Sequence, residues 1–513
     1  MARKYTRIFQ ILFFSVFVFL IGLSFYPNHE SLPLNIFLKL DPLFFITASL
    51  ASRELVLPLS VSLGLIVITV FLGRVFCGMM CPLGAYLDFM SIFFRKRKRN
   101  APKNGKWKNS KYLVLAFLIV SSTAGVMLFQ YFGPLAISTR TASFAMYPVL
   151  KNLYSDFFDL LKGPLSAAGI SGAEFIRIQK VFIFGGAGAV FYLVLITAGE
   201  FLAPRFWCRY ICPTGALLGL FSGRAFYRRR VVENGCINCR ACSSICPTGA
   251  IPPEEPDNTE VRECILCGKC IDACSRGYNK INFGIPENKS AGPLPDRRTF
   301  LKSGAAAAVF SLAARPFPSP SQKEGMLVRP PGSLTENKFK AECMRCGECV
   351  RACSTKVLQP SVSGGLTGLW LPEMFFRKAG CDAECNICGH VCPSGAIRPL
   401  DSKEKSYAKI GTAFVDSDRC VAYAEGKYCL MCDEVCPYGA IFPEKLGEGE
   451  NERRVPVISR ELCIGCGMCE WACPVEGEAA IRVYNTGEER RDEGSYVDAY
   501  RKKLRENPPS SDY

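Results

Sequence analysis

Cys463-Ile464-Gly465-Cys466-Gly467-Met468-Cys469-Glu470-Trp471-Ala472-Cys473-Pro474 sets three thiols at every third position, then a fourth after a three-residue gap and directly before proline. This is the ligand run of cubane iron–sulfur clusters. Three thiolates so spaced can wrap a cube only if the backbone loops around it, and glycines such as Gly268, Gly347 and Gly467 permit that approach. The run recurs as Cys236-Cys239-Cys242-Cys246, Cys264-Cys267-Cys270-Cys274 and Cys343-Cys346-Cys349-Cys353. Two further runs carry inserts: Cys381-Cys385-Cys388-Cys392 and Cys420-Cys429-Cys432-Cys436. The remaining four of the 28 cysteines are Cys77, Cys81, Cys208 and Cys212, in two Cys-x-x-x-Cys-Pro pairs, so none is left over.

Other uses of the thiols fit poorly. A disulfide framework does not repeat one tight four-cysteine run six times. Zinc ribbons separate two Cys-x-x-Cys pairs by a dozen or more residues. Haem is excluded by the histidines: only His29 and His390 exist, and no Cys-x-x-Cys-His site occurs. Six [4Fe-4S] clusters on 24 cysteines are therefore expected, and with them electron transfer. The fourth cysteine of a run ligates the partner cluster. Cys236, Cys239 and Cys242 should accordingly take Cys274, while Cys264, Cys267 and Cys270 take Cys246.

The first 230 residues read as membrane. Apolar stretches at 8–26, 55–73, 111–132 and 179–202 are each near the ~20 residues that span a bilayer. Leu43–Leu50 is too short to span and reads as re-entrant or interfacial. Arg3, Lys4 and Arg7 precede the first stretch, and no cleavage site follows it, so it is an anchor rather than a signal peptide. The net charge of +16 concentrates in blocks such as 95–99 and 228–230 that follow apolar runs. These are positive-inside anchors, not a nucleic-acid surface, and they put both termini of the four-helix unit in the cytoplasm. Gly185-Gly186-Ala187-Gly188 falls in an apolar stretch and reads as helix packing; no P-loop, dinucleotide fingerprint or nucleophile–base set occurs.

Inside this unit the sequence repeats. Gly73-Arg74-Val75-Phe76-Cys77-Gly78-Met79-Met80-Cys81-Pro82-Leu83-Gly84-Ala85 follows the second stretch, and Pro204-Arg205-Phe206-Trp207-Cys208-Arg209-Tyr210-Ile211-Cys212-Pro213-Thr214-Gly215-Ala216 follows the fourth. Both end in the Cys-Pro-x-Gly-Ala words that close soluble cluster runs. Convergence of Cys77, Cys81, Cys208 and Cys212 would make one further thiolate-bound metal centre.

The expected architecture is an all-α four-helix membrane domain (1–230) joined to α+β bacterial-ferredoxin-like domains, a two-cluster unit at 231–290 and a four-cluster unit at 336–485. Between these, 291–335 is a linker. In it Asp296-Arg297-Arg298-Thr299-Phe300-Leu301-Lys302, followed by an apolar run to Ala314, resembles a twin-arginine export signal. The charged tail at 486–513 lacks apolar periodicity and should be mobile.

With these motifs in view, residues 1–290 resemble the NapH-type (also MauN-like) membrane ferredoxin proteins, through four helices, two Cys-x-x-x-Cys-Pro motifs and a two-cluster tail. Residues 296–485 resemble the NapG-type (also MauM-like) ferredoxins, through the twin-arginine motif, four clusters, Gly365-Leu366-Thr367-Gly368-Leu369-Trp370 and Cys388-Gly389-His390-Val391-Cys392-Pro393. The resemblance implies a fusion of the two in a multi-pass protein of the bacterial inner membrane. Its membrane part would act as a quinol dehydrogenase-type component, drawing on the quinol pool. The two-cluster unit would be cytoplasmic and the four-cluster unit periplasmic, feeding a redox partner such as a periplasmic reductase or cytochrome. The methylamine-linked relatives keep open a maturation factor for a metalloenzyme, and a redox sensor is a further alternative. The four-cluster part also resembles ferredoxin-like electron-transfer subunits in which outer runs pair with each other, as do inner ones. That likeness gives Cys473 to Cys343, Cys346 and Cys349, and Cys353 to Cys463, Cys466 and Cys469. It gives Cys436 to Cys381, Cys385 and Cys388, and Cys392 to Cys420, Cys429 and Cys432.

Overall fold

The computed structural model describes residues 2–23, 35–93, 109–167, 179–223, 225–232, 236–274, 281–285, 327–362, 365–447 and 452–506, with positions 305 and 309. The basic block at 95–99 and the twin-arginine-like stretch at 296–302 lie outside these residues. Two compact units do not follow chain order. The first holds Met1–Leu23, Leu34–Ala142 and Ala187–Phe317; the second joins Ser143–Gly186 to Pro318–Tyr513.

Apolar helices build the first unit. Ala2–Leu23 contains the one described helix segment, Lys4–Gly22, long and apolar enough by itself to cross a membrane. Its Phe17 meets Phe37 edge-on at 5.8 Å. The short apolar piece forms helix Pro42–Ser52, capped by Asp41, whose carboxylate accepts the Leu43 and Phe44 N–H groups. The other apolar helices are shorter than the stretches suggested, including Leu57–Leu72, Ser110–Thr123 and Gly186–Phe201. The stretch expected over 111–132 breaks after Thr123, where Gly125 turns left-handed (φ 82°) and Pro134 starts a new helix. The last begins only at Gly186; Val181 and Phe184 before it belong to the second unit, where their N–H groups bond the Asn152 and Gln359 side chains.

Each Cys-x-x-x-Cys-Pro pair ends one short turn and opens a helix. Cys81 and Cys212 occupy N-cap positions with proline next, before helices Pro82–Met90 and Pro213–Ser222. Downstream, strands Arg228–Val231 and Ile281–Gly284 pair antiparallel and close the two-cluster segment around Cys242, Ile251, Cys270, Ile271 and Ile281.

The second unit is made of short helices and two-stranded antiparallel ladders: Leu358–Pro360 with Pro372–Met374, Thr412–Val415 with Ile481–Tyr484, and Ile441–Leu446 with Arg453–Ile458. Buried Arg329 ties its start together, bonding Glu336 at 2.9 Å and lying over the Phe339 ring. The Ser143–Gly186 segment contributes helix Tyr147–Ala167 and the described residues 179–186 to this fold. The Phe184 N–H reaches the Gln359 side chain at 3.0 Å, and the Phe184 ring lies 5.1 Å from Phe375. Lys356 sits over the Tyr147 ring at 5.0 Å.

The charged tail corrects the sequence reading. Residues Tyr496–Glu506 form a helix, with Tyr496 only 1% exposed. The Glu404 carboxylate accepts the Tyr496 N–H at 2.6 Å, and Tyr407 and Tyr500 rings meet at 4.9 Å. A few aromatic anchors and one half-buried carboxylate bond order a segment whose average composition is polar.

Candidate metal centres

Four of the runs share one backbone device. The residues flanking the second cysteine are both left-handed: Asn238 and Arg240, Leu266 and Gly268, Arg345 and Gly347, Gly465 and Gly467. Two reversals in three residues curl the chain so that successive cysteines face a common centre. Non-glycine residues pay a steric cost there, which marks the conformation as imposed by the loop's purpose. The runs with inserted residues, at Cys381 and Cys420, lack this pair of reversals among the described residues.

Three hollows in the second unit are each lined by four thiols. One takes Cys343, Cys346 and Cys349 with Cys392; the next takes Cys463, Cys466 and Cys469 with Cys436; the third takes Cys420, Cys429 and Cys432 with Cys473. Cys381, Cys385 and Cys388 form the fourth set, with Cys353 in electrostatic range of Cys381 and Cys388. The outer-with-outer pairing is thereby overturned: consecutive runs exchange their fourth cysteines, third with fourth and fifth with sixth. In the two-cluster segment, Cys246 lies among Cys264, Cys267 and Cys270, as the spacing predicts. Cys274 packs against the core formed by Cys242 and Cys270.

Burial raises these thiols. Cys343 and Cys381 are pushed up to about 11, and Cys466 to about 12, with neighbouring thiols adding to the effect. Four ionised thiols in so dry a place need a cationic core, and an iron–sulfur cube supplies one. Among the described residues no three His, Cys, Asp or Glu side chains close on a single ion; the thiols instead surround a hollow. The donor set and the apolar lining thus fit clusters. Arg229, buried, brings its Nη2 within 3.7 Å of Cys242 Sγ, and Lys405 is held against Cys381, Cys385 and Cys388. The sequence reading placed Arg229 in a positive-inside block and did not single out Lys405.

The four sets of the second unit form a series. The Cys343 set adjoins the Cys381 set, since Cys349 feels Cys388. The Cys381 N–H donates to the Cys466 carbonyl at 2.8 Å, joining the second set to the Cys463 set. Cys469 feels Cys432, which links the Cys463 set to the Cys420 set. At the first end, the Ser143–Gly186 segment touches the cluster loops: Ser143 bonds Glu348, and the Phe144 ring fills the space where Gly347 lacks a side chain. At the other end Tyr428 (75% exposed) and Met431 are open to solvent.

In the first unit, Cys77, Cys81, Cys208 and Cys212 come together, each of the last three within electrostatic range of Cys77. Cys81 and Cys212 are buried, and Cys212 Sγ accepts the Gly215 N–H at 3.3 Å.

A family model described as a 4Fe-4S binding domain matches residues 55–101 and 184–231, the two halves that carry these pairs. Models described as 4Fe-4S dicluster domains match residues 229–275, and 380–440 and 427–477. Among curated proteins, the chain is 34% identical over 210 residues to the ferredoxin-type protein NapG of Escherichia coli, covering 38% of this chain and 88% of that protein. It is 37% identical over 199 residues to the methylamine utilization ferredoxin-type protein MauM of Methylorubrum extorquens, covering 37% and 89%. Over 268 residues it is 28% identical to the ferredoxin-type protein NapH of Haemophilus influenzae, covering 49% and 76%. No solved structure matches the chain.

Proposed function

Since the chain belongs to the family of ferredoxin-type proteins that includes NapG and MauM, we propose that it is a membrane-bound electron carrier uniting a NapH-like part and a NapG-like part in one polypeptide. Quinol is oxidised at the membrane part, releasing two electrons and two protons. The electrons pass singly along six [4Fe-4S] clusters, with a further thiolate-bound centre at Cys77, Cys81, Cys208 and Cys212, to a redox partner outside the cytoplasm.

The observation that carries this reading is the composition of the second unit. The Ser143–Gly186 segment folds with the four-cluster part, and in sequence it runs from beyond the third apolar stretch into the start of the fourth. Basic blocks mark the opposite ends of those stretches as cytoplasmic. A four-cluster part built onto this loop shares the loop's side, the periplasm, and the twin-arginine-like stretch before it serves the same placement. Helix Tyr147–Ala167 supports the proximity to lipid: Val149, Leu150, Leu153, Phe157 and Leu160 form an exposed apolar stripe, the pattern of a helix lying in a membrane interface. Helices of the first unit likewise turn Ile11, Phe19, Val67, Phe71, Phe191 and Leu195 outward, as a lipid-facing surface does. Phe144 and Tyr147 meet the Cys343 end of the series, so electrons arrive there and leave from the Cys420 end beside Tyr428 and Met431.

Anaerobic full-length protein mixed with a quinol should show cluster reduction by absorbance and electron paramagnetic resonance, and a reporter fused after residue 320 should register the periplasmic side. Clusters unmoved by every quinol tried, or a cytoplasmic reporter, would refute the proposal.

A further inference from the structure

The two halves of the internal repeat are locked by a reciprocal exchange of arginines. Arg74 and Arg205 occupy the same position, three residues before the first cysteine of each pair, and both are 1% exposed. Each crosses to the other half. Arg205 donates to the Gly84 carbonyl at 3.2 Å and to the Cys77 carbonyl at 2.9 Å. Arg74 reaches Gly215, where an added Cβ would lie 2.7 Å from its Nη2. Glycine at 215 therefore leaves room for the Arg74 guanidinium, while a Cβ at Gly84 would press on the Cys77 carbonyl at 3.0 Å and touch Arg205 at 3.4 Å.

The arginines also bracket the thiols. Arg74 Nη2 stands 3.8 Å from Cys77 Sγ, and Arg205 is in electrostatic range of Cys208. Three carboxylates face Arg74, Arg205, Lys111 and Lys269: buried Glu200 is in electrostatic range of Cys208, and Asp88 bonds Arg205 at 2.8 Å but is shared with Lys269 at 3.0 Å. Glu263 lies 3.5 Å from Arg74 and is shared with buried Lys111. The Arg74 Nε–H and the indole N–H of Trp207, the residue before Cys208, are buried without an acceptor among the described residues. Buried donors and surplus positive charge beside four thiols specify an anionic occupant.

The same site abuts the two-cluster segment. Arg74 donates to the Arg262 carbonyl at 3.0 Å, Gly78 packs so tightly on the Ile265 carbonyl that no side chain fits, and Arg205 is in electrostatic range of both Cys208 and Cys267.

Building on the thiolate centre proposed above, we propose that Cys77, Cys81, Cys208 and Cys212 hold a seventh four-iron cluster, that Arg74 and Arg205 balance its charge, and that it exchanges single electrons with the cluster of Cys264, Cys267, Cys270 and Cys246. In each exchange one cluster core is oxidised as its neighbour is reduced; no bond is made or broken. A four-thiolate cube is negative in both states and more so when reduced, so the arginines raise its potential as positioning residues.

The test uses the full chain prepared without oxygen. Cys77→Ser with Cys212→Ser should remove about four irons and four sulfides per chain and sharpen the resonance of the neighbouring cluster by abolishing a magnetic coupling. Native mass spectrometry of the unaltered chain, which does not depend on the variant folding, should count seven clusters. Arg205→Gln should move one midpoint potential to a more negative value, and Arg205→Lys should restore most of it. A count of six clusters, zinc at this site, or a cysteine variant with unchanged iron overturns the proposal. Quinol inertness alone would refute the quinol reading and leave the cluster count standing.

Discussion

Cys392→Ser removes about four irons and four sulfides from the protein, and adding Cys343→Ser to it removes no more. Adding Cys385→Ser instead roughly doubles the loss. The reason is that Cys392 lines a hollow with Cys343, Cys346 and Cys349, although it closes the run of Cys385 and Cys388. Two substitutions in one centre cannot destroy it twice, whereas substitutions in two centres add. Iron and acid-labile sulfide analysis of the three variants decides the matter. Under the outer-with-outer pairing, Cys343 and Cys392 would belong to different clusters, and their double variant would show the doubled loss.

Gly467→Val is the second large effect, because it breaks the series in its middle. Gly467 adopts φ 73°, a region that costs a residue bearing Cβ about 1–2 kcal/mol. Its missing side chain is also the space occupied by the Phe376 ring, and an added Cβ would overlap that ring. Phe376 is buried, so relief requires shifting a packed aromatic, at roughly 1–3 kcal/mol more. The loop carrying Cys466 and Cys469 cannot keep its curl at that cost, and the Cys463 set is lost. The Cys381 set then has no neighbour through which to reach the Cys420 set. Freeze-quench resonance after reduction should find the Cys343 and Cys381 clusters reduced and the Cys420 cluster still oxidised. Unimpeded reduction of the Cys420 cluster would show that the series is not the route.

Candidate ligands were legible in the sequence because the cluster spacing acts over three or four residues. Spacing alone singled out 24 cysteines as candidates, with the Cys77 and Cys208 pairs beside them. Pairing in the second unit was not legible, since every run ends in the same Cys-Pro words. What separates the alternatives is tertiary: the Cys381 N–H bonding the Cys466 carbonyl, and the loops around Cys346 and Cys392 sharing a hollow. The role of Arg74 and Arg205 left a trace, their equal offset from the first cysteine, but only the crossing to Gly84 and Gly215 gives it meaning. Attachment of Ser143–Gly186 to the four-cluster part had no local signal, because it depends on Phe184 meeting Phe375 across about 190 residues of chain. The tail helix was missed for a related reason: Tyr496 is one residue in a polar segment, and its burial comes from Arg398, Arg491 and Glu404 around it.

All of these relations depend on thiolates that bind iron and inorganic sulfide. Metal and sulfide analysis of the anaerobically purified full-length chain tests that most directly. The predicted result is a brown protein with iron and sulfide in equal amounts, about four of each for every four-cysteine set. Colourless protein, or zinc in place of iron, would contradict it.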